Sequence, residues 1–271
     1  MSSPSAFDRD TASRPASDPP SESPSRTRLA TLTDRWHTPN ATPNGGYVLA
    51  TMLRAVGADA AYPDPLVAAA TYFKPAVVGE ATITTDQLRR GRRIATYAST
   101  LAQSGGPVTH LVASFTDRAA TEGPSVELGR APDLPRPEAC PPFTPAPAFA
   151  SATVAERVEY RFVDPPAWAG GLPSGDPIGE YWVRFTDGRP IDLYALAFLV
   201  DAYPPAVAEL AEASDVTVQL TIHFHRVPTS EWVAGRVSTR HLVDGYHEED
   251  MELWDASGNL VAQSRQLVLV T

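Results

Sequence analysis

Residues 192–226 read DLYALAFLVDAYPPAVAELAEASDVTVQLTIHFHR, and this stretch divides into two unlike halves. Leu193 to Val200 is apolar at every helical position, so a helix here has no face to offer to water and must be buried. Asp192 stands where an N-cap belongs, and Pro204 and Pro205 stop the helix. The second half alternates. Val218, Leu220, Ile222 and Phe224 fall on one face of a strand, and Thr217, Gln219, Thr221, His223 and His225 fall on the other. A fully buried helix followed by a strand with one polar row implies a sheet wrapped around a single helix. Asp201 closes the apolar run and admits two readings. It is a solvated carboxylate at a helix end, or it sits at the edge of a buried environment. In the second case desolvation and the C-terminal end of its own helix dipole disfavour the charged form.

Working outward, the chain has 271 residues, 43% of them hydrophobic, which fits one large domain or two ordinary ones with ample core. A formal net charge of −10 argues against nucleic acid as a partner. Cys140 is the single cysteine, which rules out an intramolecular disulfide and fits a cytoplasmic setting. It lies among prolines with no base patterned beside it, a poor setting for a nucleophile. No apolar run approaches the roughly 18 residues of a membrane span, and residues 1–28 lack the apolar core of a signal peptide. Those 28 residues are rich in Ser, Pro and Asp and are expected to form a disordered tail. The expected organisation is this tail, a first unit over 29–118, a Pro-dense linker over 119–149 that cannot join a central sheet, and a second unit over 150–271.

The first unit carries PNGGYVLATMLRAV from Pro43 to Val56, a second helix that is apolar nearly all round. Asn44 is its N-cap. Gly45 and Gly46 are poor helix formers, but they let a ligand or another backbone come close to the helix start; packing and ligand approach are both open readings. Strands are expected over 66–74, 79–88, 96–103 and 108–116. Between the second and third lies RRGRR, which puts four of the 22 basic residues within five positions. A solvated hairpin turn explains it, and so does a contact for phosphate, which arginine forks match well. The second unit repeats the order helix, strand, strand, turn, strand, Gly turn, strand. Counted without gaps, Thr217, Thr221 and His223 correspond to Leu66, Ala70 and Tyr72, and Gln266 corresponds to Ser114. The polar row, and with it any chemistry, is expected from the second unit.

These motifs, in this order from about Trp36 to Leu269, resemble the TesB-like acyl-CoA thioesterases. PNGGY, YFKP, LRRGR, AQSGGP and VASF look like that family's first hotdog; WVRF, DLYALAFLVDAYPP, TVQLTIHFHR and GNLVAQSRQ look like its second. The resemblance implies an α+β double hotdog: two fused units, each an antiparallel sheet wrapped around a buried central helix. It also implies that Asp201, Thr217 and Gln266 activate a water that hydrolyses an acyl thioester, with Gln219 as an alternative amide. Asn44, Gly45 and Gly46 would polarise the thioester carbonyl through the helix-start N–H groups, and Arg89, Arg92 and Arg93 would meet coenzyme A phosphates. Coenzyme A enters as part of the substrate, with no further cofactor and no metal; His223 and His225 lack an obvious third ligand. Acyl transfer in a biosynthetic pathway, a hotdog hydratase and a non-catalytic acyl- or lipid-binding protein are the alternatives. A monomer and a homo-oligomer are both compatible with a fused pair.

Overall fold

The computed structural model describes residues 4–16, 25–143, 152–212 and 215–270. Among the described residues there are three α-helices: α1 (Ala6–Asp10), α2 (Gly45–Gly57) and α3 (Leu193–Leu199). The strands of the first half are β1 (Ser13–Pro15), β2 (Ser25–Leu32), β3 (Asp64–Tyr72), β4 (Gly79–Arg90), β5 (Ile94–Gln103) and β6 (Gly106–Thr116). Those of the second are β7 (Val158–Arg161), β8 (Ile178–Phe185), β9 (Asp215–Phe224), β10 (Val233–Ser238), β11 (Leu242–Val243), β12 (Tyr246–Asp255) and β13 (Leu260–Val270). Among the described residues no helix is long and apolar enough to cross a membrane.

The strands form one antiparallel sheet in the order β1-β2-β4-β5-β6-β3-β9-β13-β12-β10-β8-β7, with β11 paired to β12. The order mirrors itself about the β3–β9 pair, as a fused repeat requires: β3 answers β9, β6 answers β13, β5 answers β12, and β4 answers β10. Alternation sends one face of each strand inward. Ile83, Leu101, Leu111 and Phe115 face the interior from the first half, and Leu220, Ile222, Phe224, Met251 and Leu253 from the second. Both all-apolar helices lie inside this wrap and share one continuous core. The double hotdog expected from the sequence is therefore the fold.

The two central helices run antiparallel and nearly touch. The start of α2 meets the end of α3 at Gly46, where an added Cβ would lie 2.8 Å from the Asp201 Cβ and 2.9 Å from the Phe198 carbonyl oxygen. At the other end of the pair, an added Cβ on Gly57 would overlap the Tyr194 hydroxyl. Of the two open readings of the Gly45-Gly46 pair, the close approach of another backbone accounts for Gly46.

The tail departs from expectation. Residues 25–28 belong to β2, and residues 4–16 fold against the body of the protein. Ser5 caps α1, and Phe7 is fully buried among Trp36, Phe185 and Phe198, joining first-half and second-half aromatics. Asp10 accepts from the Trp36 indole N–H at 2.8 Å and pairs with Arg35. Asp8 pairs with Arg54 of α2 and with Arg189, which precedes α3. Composition misled because a few well-placed residues suffice to anchor a polar segment when a large aromatic fills a prepared pocket. Residues 1–3 and 17–24 of the expected tail, and 144–149 of the expected linker, lie outside the described residues.

The described part of the linker crosses the outer face of the second-half sheet, where Cys140, Ala131 and Leu134 pack on Trp182, Trp232 and Trp254. Burial pushes the Cys140 thiol up, against the opposing pull of Arg161, which disfavours the reactive thiolate.

Removing residues 1–16 is expected to lower the melting temperature markedly, and Phe7→Ala alone to cost about 3–5 kcal/mol in chemical denaturation. Burial opposes ionisation of Asp8, but hydrogen bonds from Arg189 and Ser5 and the charges of Arg189 and Arg54 prevail and lower its pKa to about 2. Because the folded-state pKa is depressed, this contribution is complete above the ordinary carboxylate range and fades as pH falls from about 4 towards 2. A Phe7→Ala protein, with its tail already loosened, should show a shallower acid dependence over that window. Gly46→Ala is expected to cost at least about 1–3 kcal/mol by overpacking, read as a fall in denaturation midpoint.

Candidate active site

Asp201 follows the C-cap of α3, but its side chain leaves its own helix and reaches the start of α2. Its Oδ2 accepts from the Gly46 backbone N–H at 2.6 Å and from the Asn44 amide at 3.1 Å. The same Asn44 amide donates to the Asp201 carbonyl oxygen at 2.8 Å, while its Oδ1 caps α2 through the Tyr47 N–H at 2.9 Å. The sequence reading of Asp201 weighed only the C-terminal dipole of its own helix. The structure corrects this. The carboxylate sits on the N-terminal end of the neighbouring helix, where exposed N–H groups and the dipole favour negative charge. Gly46 therefore spends its N–H on Asp201, not on a substrate carbonyl as expected. Gly45 also lies close by, because an added Cβ there would come within 3.0 Å of Asp201 Oδ2.

Tyr72, at the end of β3, donates to the Gly45 carbonyl oxygen at 3.0 Å. Burial, reinforced by the Asp201 charge, pushes its phenol well above the ordinary value. Behind Asp201, Tyr203 stacks on Tyr181 at 4.3 Å, and Tyr160 meets both rings edge-on. Burial likewise raises these three phenols, so all remain neutral donors at ordinary pH. The Tyr160 hydroxyl is buried without a hydrogen-bond partner among the described residues.

Thr217 and Gln266 meet across β9 and β13. The Thr217 hydroxyl donates to Gln266 Oε1 at 2.9 Å, and Gln266 Nε2 donates to Glu249 Oε1 at 2.7 Å. This contact depends on a feature that alternation alone misses. The β9–β13 register runs Gln266 to Leu220 and Leu267 to Gln219, then Val268 to Thr217, so Val218 has no partner. One extra residue in a strand reverses the alternation beyond it. Thr217 thus turns onto the inner face with Gln266 and Val268. Gln219, Thr221 and His223 stay on the outer face, where the Gln219 amide donates to the Thr221 hydroxyl at 2.6 Å. The single polar row expected from Thr217 to His225 is broken at its first member, and Gln219 is removed as the alternative amide. The gap-free match of Gln266 with Ser114 also fails. Ser114 lies on the outer face, hydrogen-bonded to Thr96 at 2.9 Å, whereas Gln266 is buried inside.

Thr217 and Tyr72 share one end of the central strand pair, since β3 and β9 align Thr71 with Gln219. That end holds Asp201, Asn44, Gly45, Gly46, Tyr72, Thr217 and Gln266. It does not hold the arginines. Arg89, Arg92 and Arg93 are exposed around the β4–β5 turn, beside Ile94, which aligns through Thr116 with Asp64 at the far end of β3. Eight strand steps separate Asp64 from Tyr72, about 26 Å at about 3.3 Å per residue. The expected phosphate contact at RRGRR is therefore remote from Asp201, because a hairpin delivers its turn to the opposite end of the sheet. Among the described residues the arrangement is not repeated at the opposite end of the helix pair, where Tyr194 closes on Gly57 and Arg54 pairs with Asp192. Sequence reasoning missed Glu249. It sits in HEED, an acidic run whose composition points to solvent, yet it is 3% exposed, on the strand face it shares with Met251 and Leu253. Gln266 of β13 stands directly opposite it.

Comparison with known proteins agrees with this architecture. The family model for the acyl-CoA thioesterase N-terminal domain matches residues 32–116, and that for the acyl-CoA thioesterase C-terminal domain matches residues 137–270. The chain is similar to the thioesterase-like protein TwmA of Talaromyces wortmannii, with 24% identity over 85% of this chain and 84% of that protein. Among solved structures, a conserved hotdog-fold protein of Alicyclobacillus acidocaldarius superposes with a TM-score of 0.85 at 26% identity, covering 99% of each chain. The acyl-CoA thioesterase II TesB2 of Mycobacterium marinum shares the fold at a TM-score of 0.75 and 18% identity, covering 98% of each chain. With both of its halves matched, the chain belongs to the hotdog-fold, acyl-CoA thioesterase-like family.

Proposed function

We propose that the protein hydrolyses an acyl-CoA thioester to the free acid and coenzyme A, using a water activated by Asp201. The observation that carries this reading is the placement of Asp201. Its carboxylate is fixed in rotation by Gly46 and Asn44 at the same end of the β3–β9 pair that holds the Thr217–Gln266 contact. Thioester hydrolysis needs an oriented water, a base for its proton and donors near the developing oxyanion.

Asp201 serves as the base. Its carboxylate accepts from the Gly46 N–H at the N-terminus of α2, where the helix dipole favours negative charge. Thr217 donates its proton to Gln266, so its lone pairs are available to orient the water. The water oxygen attacks the carbonyl carbon, its proton passes to Asp201, and the carbon–sulfur bond breaks to release the coenzyme A thiol after proton return. The start of α2 at Gly45 supplies positive electrostatic potential beside the carbonyl, and the Tyr72 hydroxyl, which donates to the Gly45 carbonyl oxygen, holds that helix start in place. No covalent intermediate is required, which suits a chain with a buried Cys140 and no Gly-x-Ser-x-Gly elbow. With RRGRR remote, the coenzyme's phosphates are met by other groups.

The test is thiol release from acyl-CoAs running from acetyl to palmitoyl, with several aromatic acyl groups. Asp201→Asn is expected to reduce turnover by at least about 100-fold with little change in folding. Turnover unaffected by that substitution removes Asp201 from the mechanism. Binding of acyl-CoA without release from any substrate assigns the pocket to acyl transfer or to carriage.

A further inference from the structure

Glu249 lies on β12, 3% exposed, opposite Gln266 on β13. Both of its oxygens are used in ways that bear on the site. Oε1 accepts from Gln266 Nε2 at 2.7 Å, and Oε2 accepts from the Ala206 backbone N–H at 2.7 Å. Ala206 begins a 3-10 turn over Ala206–Leu210, five residues after Asp201 and directly after the Pro204-Pro205 pair. One carboxylate therefore ties the strand pair that carries Thr217 and Gln266 to the segment that leaves Asp201. Prolines at 204 and 205 remove backbone freedom from that segment, so an anchor at Ala206 is felt at Asp201.

The carboxylate also sets a direction. A glutamine amide presents either an oxygen or an NH2 group to a neighbour, and the two ends are nearly the same size. The Thr217 hydroxyl both donates and accepts, so it does not decide which end it meets. The Glu249 carboxylate accepts at both oxygens, from the Gln266 amide and from the Ala206 N–H. Facing Glu249, Gln266 must turn its NH2 group towards β12, which leaves its oxygen for Thr217 and makes the Thr217 hydroxyl the donor. The polarity of the whole relay, from Ala206 through Glu249 and Gln266 to Thr217, is fixed at Glu249.

We infer that Glu249 is a positioning residue for hydrolysis, holding the Gln266 amide in the orientation that leaves Thr217 lone pairs for the attacking water, and keeping that pair in register with Asp201. The inference rests on the thioesterase reading and acts through Gln266, without contact with substrate. In Glu249→Gln the side chain keeps its shape and loses its fixed polarity, so the 266 amide can flip.

The experiment combines kinetics with the Gln266 side-chain NH2 resonances, assigned by their disappearance in Gln266→Ala. In the native protein these protons are expected to be shifted downfield and slow to exchange, and Glu249→Gln is expected to move them. Resonances like those of a solvated glutamine in the native protein overturn the inference, even where Glu249→Gln fails to fold. In thiol release, Glu249→Gln is expected to lower kcat by about tenfold or more with KM changed less than about threefold. The melting temperature should hold within a few degrees. Because the effect passes through Gln266, the Glu249→Gln, Gln266→Ala double variant should be no slower than Gln266→Ala alone. Additive losses, or a rise in KM at unchanged kcat, assign Glu249 a merely structural role. If the native protein releases no thiol from any acyl-CoA, the thioesterase reading fails, while the amide resonances still decide the placement of Gln266.

Discussion

The contact between the Asp201 carboxylate and the Gly46 N–H governs this structure. A carboxylate is brought from the end of one buried helix to the start of another, and the geometry leaves little freedom at either side. Gly46 must lack a side chain, because the Asp201 Cβ and the Phe198 carbonyl occupy the space. Asn44 must carry both an acceptor, to cap α2, and a donor, to hold Asp201. The helices must run antiparallel, which the mirrored sheet order about β3 and β9 imposes. Hydrogen bonds to a carboxylate are roughly twice as strong as neutral ones when it is charged, so an interaction that stabilises the helix pair also positions the candidate base.

Symmetry supplies the frame, and departures from it supply the chemistry. Two ends of the helix pair are related by the repeat, yet they are built differently. One has Gly45 and Gly46 opposite Asp201; the other is filled by Tyr194 against Gly57 and ringed by Arg54, Asp192, Asp8 and Arg189. In the second-half sheet, one unpaired residue at Val218 turns Thr217 inward to meet Gln266. A strand in regular register would send that hydroxyl to the outer face with Gln219. The bulge brings the Thr217 hydroxyl to the buried Gln266, at the end of the strand where Asp201 also arrives.

Segments outside the two hotdogs are structural parts of the whole. Phe7 bridges Trp36 of the first half and Phe185 and Phe198 of the second, and Asp8 is shared by Arg54 and Arg189 from the two halves. The linker covers Trp182, Trp232 and Trp254 on the outer face of the sheet, on the side away from Asp201. A sheet wrapped around helices buries only its inner face; the outer tryptophans need a second layer, and the Pro-dense segment provides it, touching the sheet's hydrogen-bond ladder at the bridge between Pro142 and Arg161 of the edge strand β7.

The sequence by itself determined the fold. Leu193–Val200 is apolar on all sides and Tyr47–Val56 nearly so, which demands a core around both, and the alternating strands that follow each of them have one face to bury. It also determined the type of residue at the site, since Asp201, Thr217, Gln266, Asn44 and the glycines are all legible as polar groups or breaks at the ends of apolar runs. Only the tertiary structure decided where these groups point. The dipole that Asp201 meets belongs to a helix more than 140 residues away in the chain. The face of Thr217 depends on pairing with β13, the burial of Glu249 on Gln266 opposite it, and the distance of RRGRR from the site on which end of a hairpin carries the turn. The tail around Phe7 folds because two halves of the chain build a pocket for it. Local pattern reports what each segment must bury; partners distant in sequence fix register, direction and the sign of the local field.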